Sequence, residues 1–294
     1  MGHVPVLLNE VLLYLDPRPG TFVIDGTLDG GGHAEEILKR LRPRGTFLGV
    51  DLDPGMTEGF AKREAQSGIR IHVSQGNYAD LPRIMREAGL PKADGLLVDL
   101  GFSSEQLSTS GRGFSFTKDE PLLMTYDPDA VPLRDLLAKV PERELADIIR
   151  ELGGERMAGR VARAIVECRR KRSIATSGEL ADVVRSVLPK GYERGRIDPA
   201  TRTFQALRIW ANDELGNLSR LLAVLPDILA PGGRAVIISF HSAEDRLVKI
   251  AFAEGKKAER YDLLTKKPII PTREEERQNP RSRSAKLRAI AFLK

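Results

Sequence analysis

Asp25, the glycines at 30 to 32, Asp51, Asn77, Tyr78 and Asp99 share one property: each follows a short apolar run that reads as a buried strand. In an open parallel sheet, ligands bind outside the carboxyl ends of the strands, so one ligand can touch all of these residues. The glycines let main-chain amides approach it with no Cβ in the way. Asp51, closing TFLGVD, stands where a carboxylate accepts both hydroxyls of a ribose. Asp25, just before the glycine loop, would repel a pyrophosphate but suits a ligand carrying an ammonium and a sulfonium. The loop GTLDGGGH fails the GxGxxG pattern, because Glu35 stands where the third glycine belongs, and it lacks the GK[ST] ending of a P-loop. Nicotinamide and nucleotide-phosphate ligands therefore fit poorly, and S-adenosylmethionine fits better. One strand-ending acid is often only a helix cap; several together at strand ends are much harder to explain that way.

These residues need a scaffold, and the chain alternates accordingly. TFVID (21–25), TFLGVD (46–51), IRIHVSQGN (69–77) and DGLLVDLG (94–101) read as strands, with AEEILKRL (34–41) and ADLPRIMREAG as helices between them. Strand and helix in turn predict a parallel sheet. After Gly101 the alternation stops: LRDLLAKV, ERELADIIRELG, RMAGRVARAIVECRRKR and GELADVVRSVL are all helical patterns. The expected division is a cofactor-binding domain from 1–102 and 197–294, interrupted by a helical substrate-recognition insert at 103–196. Asp198 as N-cap and Pro199 at the first helical position open what reads as one long helix, with Phe204, Leu207, Ala211, Leu215, Leu218, Leu222 and Leu225 in register to cover the sheet. LAPGGRAVIISF (229–240) and KLRAIAFL (286–293) are further strands, with the helix EDRLVKIAFAEG between them.

The 294 residues are 41% hydrophobic and 30% charged, which fits a folded soluble chain and excludes collagen, coiled coil and a disordered tail. One cysteine, Cys168, forms no intrachain disulfide, and four histidines with neither CxxC nor HExxH make no zinc site of the usual kind, so no metal is expected and a reducing cytoplasm fits. The first residues carry no basic and apolar leader, and eighteen consecutive apolar residues occur nowhere, so neither export nor a membrane partner is expected. Charge is unevenly spread. Lys256 to Lys294 holds twelve Lys and Arg against five acids, while the whole chain is only +5. In the loop NPRSRS, Arg281 and Arg283 stand among small hydroxyl side chains, a composition suited to phosphate contacts. The run from Arg169 to Arg172 ends a helical pattern, where the macrodipole favours cations in any case.

Six blocks in order, DGTLDGGGHAEEIL, LLVDLGFSSEQL, GRGFSF, PATRTFQALRIWANDEL, LAPGGRAVIISFHSAEDRLVK and NPRSRSAKLRA, resemble the bacterial RNA small-subunit methyltransferase H (MraW) family. The likeness spans nearly the whole chain. It implies an α/β fold, the Rossmann-like class I methyltransferase with a mostly parallel doubly wound sheet and an inserted helical domain. It further implies methylation of the exocyclic N4 of a decoding-centre cytosine in 16S rRNA, with the small ribosomal subunit as partner. Gly31, Gly32, His33, Asp51, Tyr78, Asp99 and Gln106 match the family's cofactor contacts. Leu28 and Asp29, and the stretch EPLLMTYDP (120–128), depart from its pattern.

Among the remaining residues, Asp99 is the candidate acceptor for the reacting amine. His241 faces the same strand ends in a role the sequence leaves open. Arg112, with Phe114 and Phe116, could engage a flipped base, or the rings could be core of the insert. Trp210 and Cys168 read as ordinary packing residues. An RNA-binding assembly factor with a vestigial cofactor site and a nicotinamide oxidoreductase are the rival readings. Whether the chain forms a homodimer is left open by the sequence.

Overall fold

The computed structural model of the chain describes residues 5–64, 68–100, 111–189, 191–192 and 197–293. It divides into two compact units, Met1–Ser103 with Leu215–Lys294, and Ser104–Glu214.

The first unit opens with helix α1 (Leu8–Leu15) and then alternates: β1 (Phe22–Asp25), α2 (Gly32–Leu41), β2 (Thr46–Asp51), α3 (Pro54–Glu64), β3 (Arg70–Gln75), α4 (Leu81–Glu87) and β4 (Ala93–Asp99). The second unit contributes α5 (Leu133–Lys139), α6 (Glu142–Gly153), α7 (Ala158–Lys171), α8 (Ser177–Val187) and α9 (Thr201–Ala211). The chain returns through α10 (Glu214–Ile228), β5 (Leu229–Ser239), α11 (Ser242–Lys257), β6 (Tyr261–Leu263), α12 (Arg273–Gln278) and β7 (Lys286–Phe292).

The seven strands form one sheet in the order β3-β2-β1-β4-β5-β7-β6. Strands β1 to β5 are parallel and β7 runs antiparallel to both neighbours. The chain winds outward from β1 to β3 and resumes on the other side at β4, so the switch point lies between β1 and β4. Side chains alternate across the sheet. Ile24, Leu48, Leu96, Val98 and Ile237 pack with Leu81 and Ile84 of α4, Leu218 and Leu225 of α10, and Phe252 of α11. Val23, Phe47, Leu97, Val236 and Ile238 pack on the other face with Leu12 of α1, Ile37 and Leu38 of α2, and Phe60 of α3. Cover on both faces is why the central strands read as near-continuous apolar runs.

The second unit has its own core, built from Leu133, Leu145, Ile149, Val161, Ile165, Leu180, Val184 and Phe204 among others. Among its described residues the extended pairing is a single antiparallel bridge, Pro121 with Thr176. Helix α8 begins with a capping box in which Thr176 and Glu179 exchange side-chain and main-chain bonds.

The long helix expected from Pro199 to Leu225 is two helices. It breaks at Asn212 and Asp213, where Asp213 adopts φ 48°. The Asn212 amide bonds the carbonyls of Met124 and Arg208 and accepts from the Tyr126 amide, holding the break. Phe204 and Leu207 consequently belong to the core of the second unit, and only α10 covers the sheet.

Candidate active site

The expected ligand residues converge at the carboxyl edge, on both sides of the switch point. Asp25 ends β1 almost wholly buried. Its Oδ1 accepts the Thr27 amide at 3.1 Å, while Oδ2 is buried with no hydrogen-bond partner among the described residues. Thr27 reaches across to β4, its Oγ1 accepting the Asp99 amide at 2.7 Å. The loop then turns under main-chain control: Leu28 N–H donates to the Val50 carbonyl and Gly31 N–H to that of Leu28. Gly31 holds φ 83° at the N-cap of α2, a left-handed conformation that favours glycine. Gly26 is as constrained, because a Cβ there would lie 3.2 Å from both Tyr78 Cβ and Val98 Cγ2. That close approach sets Tyr78 against the first loop. Asn77 positions the turn at Tyr78–Asp80 by accepting the Ala79 amide at 2.9 Å, and its own amide donates to Asn217 Oδ1 on α10.

Asp51 anchors the second loop. Its Oδ1 accepts the Asp53 amide at 2.8 Å and its Oδ2 the Asp29 amide at 3.0 Å. A carboxylate has about four acceptor sites, so each oxygen keeps capacity for a ligand hydroxyl. His33, in the first turn of α2, is buried with Nε2 2.9 Å from the Val6 carbonyl, so that nitrogen carries the proton and donates. Its Nδ1 lies 3.7 Å from Asp99 Oδ2.

The electrostatics are those of a site awaiting positive charge. Burial holds the Asp25 carboxyl well above the usual carboxylate range, with Asp99 and Asp51 pushing the same way. Asp29 is raised by burial first and then by Asp51, Asp99 and Asp25. Burial lifts Asp51 to about 6 despite its amide bonds. The same burial lowers His33 to about 4, so its imidazole is neutral at pH 7 and offsets none of the negative charge. Acids this close ionise together only when a cation or strong donors join them.

The chain's relatives agree with this chemistry. The profile described as the MraW methylase family matches residues 1–293. The chain belongs to the MraW methylase family. Ribosomal RNA small subunit methyltransferase H of Syntrophus aciditrophicus is 45% identical, covering 97% of this chain and 96% of its own. The proteins of that name from Granulibacter bethesdensis and Geobacter sulfurreducens are 44% and 45% identical, each over 99% of this chain and over 92% and 99% of their own lengths. The methyl donor of this methylase is S-adenosylmethionine, and the residues present fit it. The unpartnered Asp25 oxygen and the raised acids suit a ligand bearing an ammonium and a sulfonium. Asp51 suits its ribose, and the glycine turn leaves room for its approach.

Not every candidate lies at this edge in an available form. Gln106 lies outside the described residues. His241 is the N-cap of α11: Nδ1 accepts the Glu244 amide, and Nε2 lies 3.0 Å from Glu244 Oε1. Its Nδ1 is committed to the capping box, while Nε2 is buried with no hydrogen-bond partner among the described residues. Arg112 is half-buried in the second unit, donating to the carbonyls of Tyr126 and Thr125, so it braces the 112–126 segment. Phe114 stacks on Tyr126 at 5.2 Å and Phe116 meets Phe204 edge-on at 5.0 Å, which makes both rings packing residues of the second unit. Trp210 and Cys168 pack against that same core. Arg281 and Arg283 are exposed on the 3-10 turn Pro280–Ser284. Lys286, two residues beyond the turn, pairs with Ser239 at the end of β5, which sets the turn at the carboxyl edge.

The sequence reading missed three contributors. Thr27 ties the first loop to β4, and the Asp29 amide ties it to Asp51. The segment at Val6 and Leu7 is held from both sides, by His33 on the Val6 carbonyl and by Glu275 accepting the Leu7 amide at 2.7 Å. A loop departing from the family pattern at Asp29 was the one available signal, and nothing local marks the carbonyl of a valine.

Proposed function

We propose that this methylase transfers a methyl group to the exocyclic N4 of a cytosine in small-subunit rRNA, at the decoding centre of 16S rRNA. The observation that carries the reading is the buried carboxylate Asp99, at the switch point beside the acids that suit a cationic methyl donor. The full-length match to relatives named for small-subunit rRNA supports the substrate class.

A cytosine amine is a weak nucleophile because its lone pair is shared with the ring. The bound cofactor supplies an electrophilic methyl group on sulfur. Asp99 accepts the amine N–H, which directs the lone pair toward the methyl carbon and fixes the approach. Alkylation makes the nitrogen acidic, so proton loss to Asp99 or water needs no strong base. In this reading Ser104–Glu214 takes part in substrate recognition. Mass mapping of modified nucleosides in 16S rRNA, with and without the gene, is expected to show one N4-methylated cytidine lost in the deletion. An unchanged map refutes the assignment.

Arg281 and Arg283 are assigned to RNA phosphates, since arginine presents a fork of donors to them. Replacing both with alanine is expected to weaken RNA binding and reduce the slope of log affinity against log salt by about one to two. Cofactor affinity should hardly move. A lowered melting temperature with an unaltered salt slope would instead make them braces of the fold.

A further inference from the structure

Helix α11 carries a feature the active site does not use. Arg246, Lys249, Lys256 and Lys257 are all exposed, and at 3.6 residues per turn they fall within an arc of about 100° running roughly 16 Å along the helix. None of the four forms an ion pair or side-chain hydrogen bond with another described residue. Exposed cations on other helices are of both kinds: Arg86, Arg143 and Arg160 also have no such partner among the described residues, but others are paired within their helix. Lys39 pairs with Glu36, Arg83 with Glu87, Arg150 with Asp147 and Arg163 with Glu167, each three or four residues apart.

Two acids of the first turn of α11 are engaged elsewhere. Glu244 is buried against His241 and the amides of Phe240 and His241. Asp245 binds Arg288 Nε at 2.7 Å and Lys286 Nζ at 3.4 Å, both on β7. The exposed Glu254 projects outside the arc. The macrodipole accounts for Lys256 and Lys257 in the last turn but gives no reason for Arg246 and Lys249. Ile250, 47% exposed, borders the same stripe and offers an apolar surface for a base or sugar.

The β7 contacts to Asp245 also bring the first turn of α11 beside the start of β7, and so next to the turn bearing Arg281 and Arg283. The cations therefore continue from the carboxyl edge of the sheet along the helix. We propose that the exposed face of α11 is a track for the phosphate backbone of RNA, with Arg246, Lys249, Lys256 and Lys257 each meeting a phosphate while the target base lies at the strand ends. This rests on the RNA-methylating reading above and adds where the flanking nucleotides run.

The test uses the full chain and a fragment of small-subunit rRNA, with binding measured over a series of salt concentrations. The variant Arg246→Gln/Lys249→Gln/Lys256→Gln/Lys257→Gln is expected to reduce the salt slope by about three, from four lost phosphate contacts. Its melting temperature and S-adenosylmethionine affinity should match wild type, since no described contact of the fold uses these side chains. A control removes as many charges elsewhere: Arg18→Gln/Lys39→Gln/Arg83→Gln/Arg86→Gln, expected to change the slope by less than one. A wild-type slope in the α11 variant overturns the track while leaving the RNA reading intact. An equal change in both variants also overturns it, by reducing the effect to net charge. Wild-type protein with no salt-dependent RNA affinity overturns the track together with the reading beneath it.

Discussion

Asp99→Ala is expected to slow methyl transfer by about a hundred- to a thousandfold at saturating cofactor, the loss typical of removing one oriented group from a transition state. The main chain at Asp99 is fixed on both sides. Its own amide is fixed by Thr27, and the next amide, Leu100 N–H, donates to the Ile238 carbonyl of β5. His33 stands 3.7 Å from Oδ2 with an unprotonated Nδ1, because its single proton is given to the Val6 carbonyl. The His33 Nδ1 therefore has no proton to give Asp99 Oδ2, so it does not compete with the amine N–H for that oxygen. Asp99→Asn retains an acceptor oxygen but not the charge and is expected to fall between wild type and alanine. Single-turnover rates at saturating S-adenosylmethionine, with cofactor affinity measured separately, make the check. A transfer rate within threefold of wild type for Asp99→Ala would reduce Asp99 to a cofactor ligand.

The positions of the acids were legible because strand ends are. FVID, TFLGVD and GLLVD are buried on both faces, so their apolar runs stop where the chain leaves the sheet, and the next polar residue lies at the carboxyl edge. Elements without such a run escaped. Strand β6 is three residues paired only at the sheet's rim, and α12 is a single charged stretch, REEERQ. The helix expected over the sheet kept its apolar spacing through Ala211 and Leu215 although the chain breaks between them. Periodicity records that a face is buried, not which core buries it. The same limit governs side chains on loops. Arg112, Phe114 and His241 have the right types for RNA, base stacking and proton transfer, yet main-chain carbonyls, Tyr126 and Glu244 claim them. Those partners lie up to fourteen residues away in sequence, and only the folded chain shows them meeting.

Asp51→Ala is expected to weaken S-adenosylmethionine binding by about 1.5 to 3 kcal/mol, roughly ten- to over a hundredfold in Kd. The loss combines a ligand hydroxyl pairing with a charged acceptor and the two loop amides, of Asp29 and Asp53, that the carboxylate organises. Its pH dependence provides a sharper signature. In the free protein burial raises Asp51 to about 6. A folded value above the ordinary aspartate value of 3.8 means that the free protein gains stability from this group as pH falls from about 6 toward 3.8, and loses it as pH rises again. Ligand hydroxyls donate to the charged form, so binding lowers the pKa. Near pH 6 the complex must then release protons, and affinity must decline as the solution is made more acidic. Calorimetry in two buffers of different ionisation heat, at pH 6 and pH 8, measures that release directly. Wild type is expected to release protons at pH 6 and close to none from this group at pH 8, whereas Asp51→Ala should lose the part that Asp51 contributes. Unchanged affinity in the variant, with proton release identical to wild type, would remove Asp51 from the ribose site and leave it as the clasp between the first two loops.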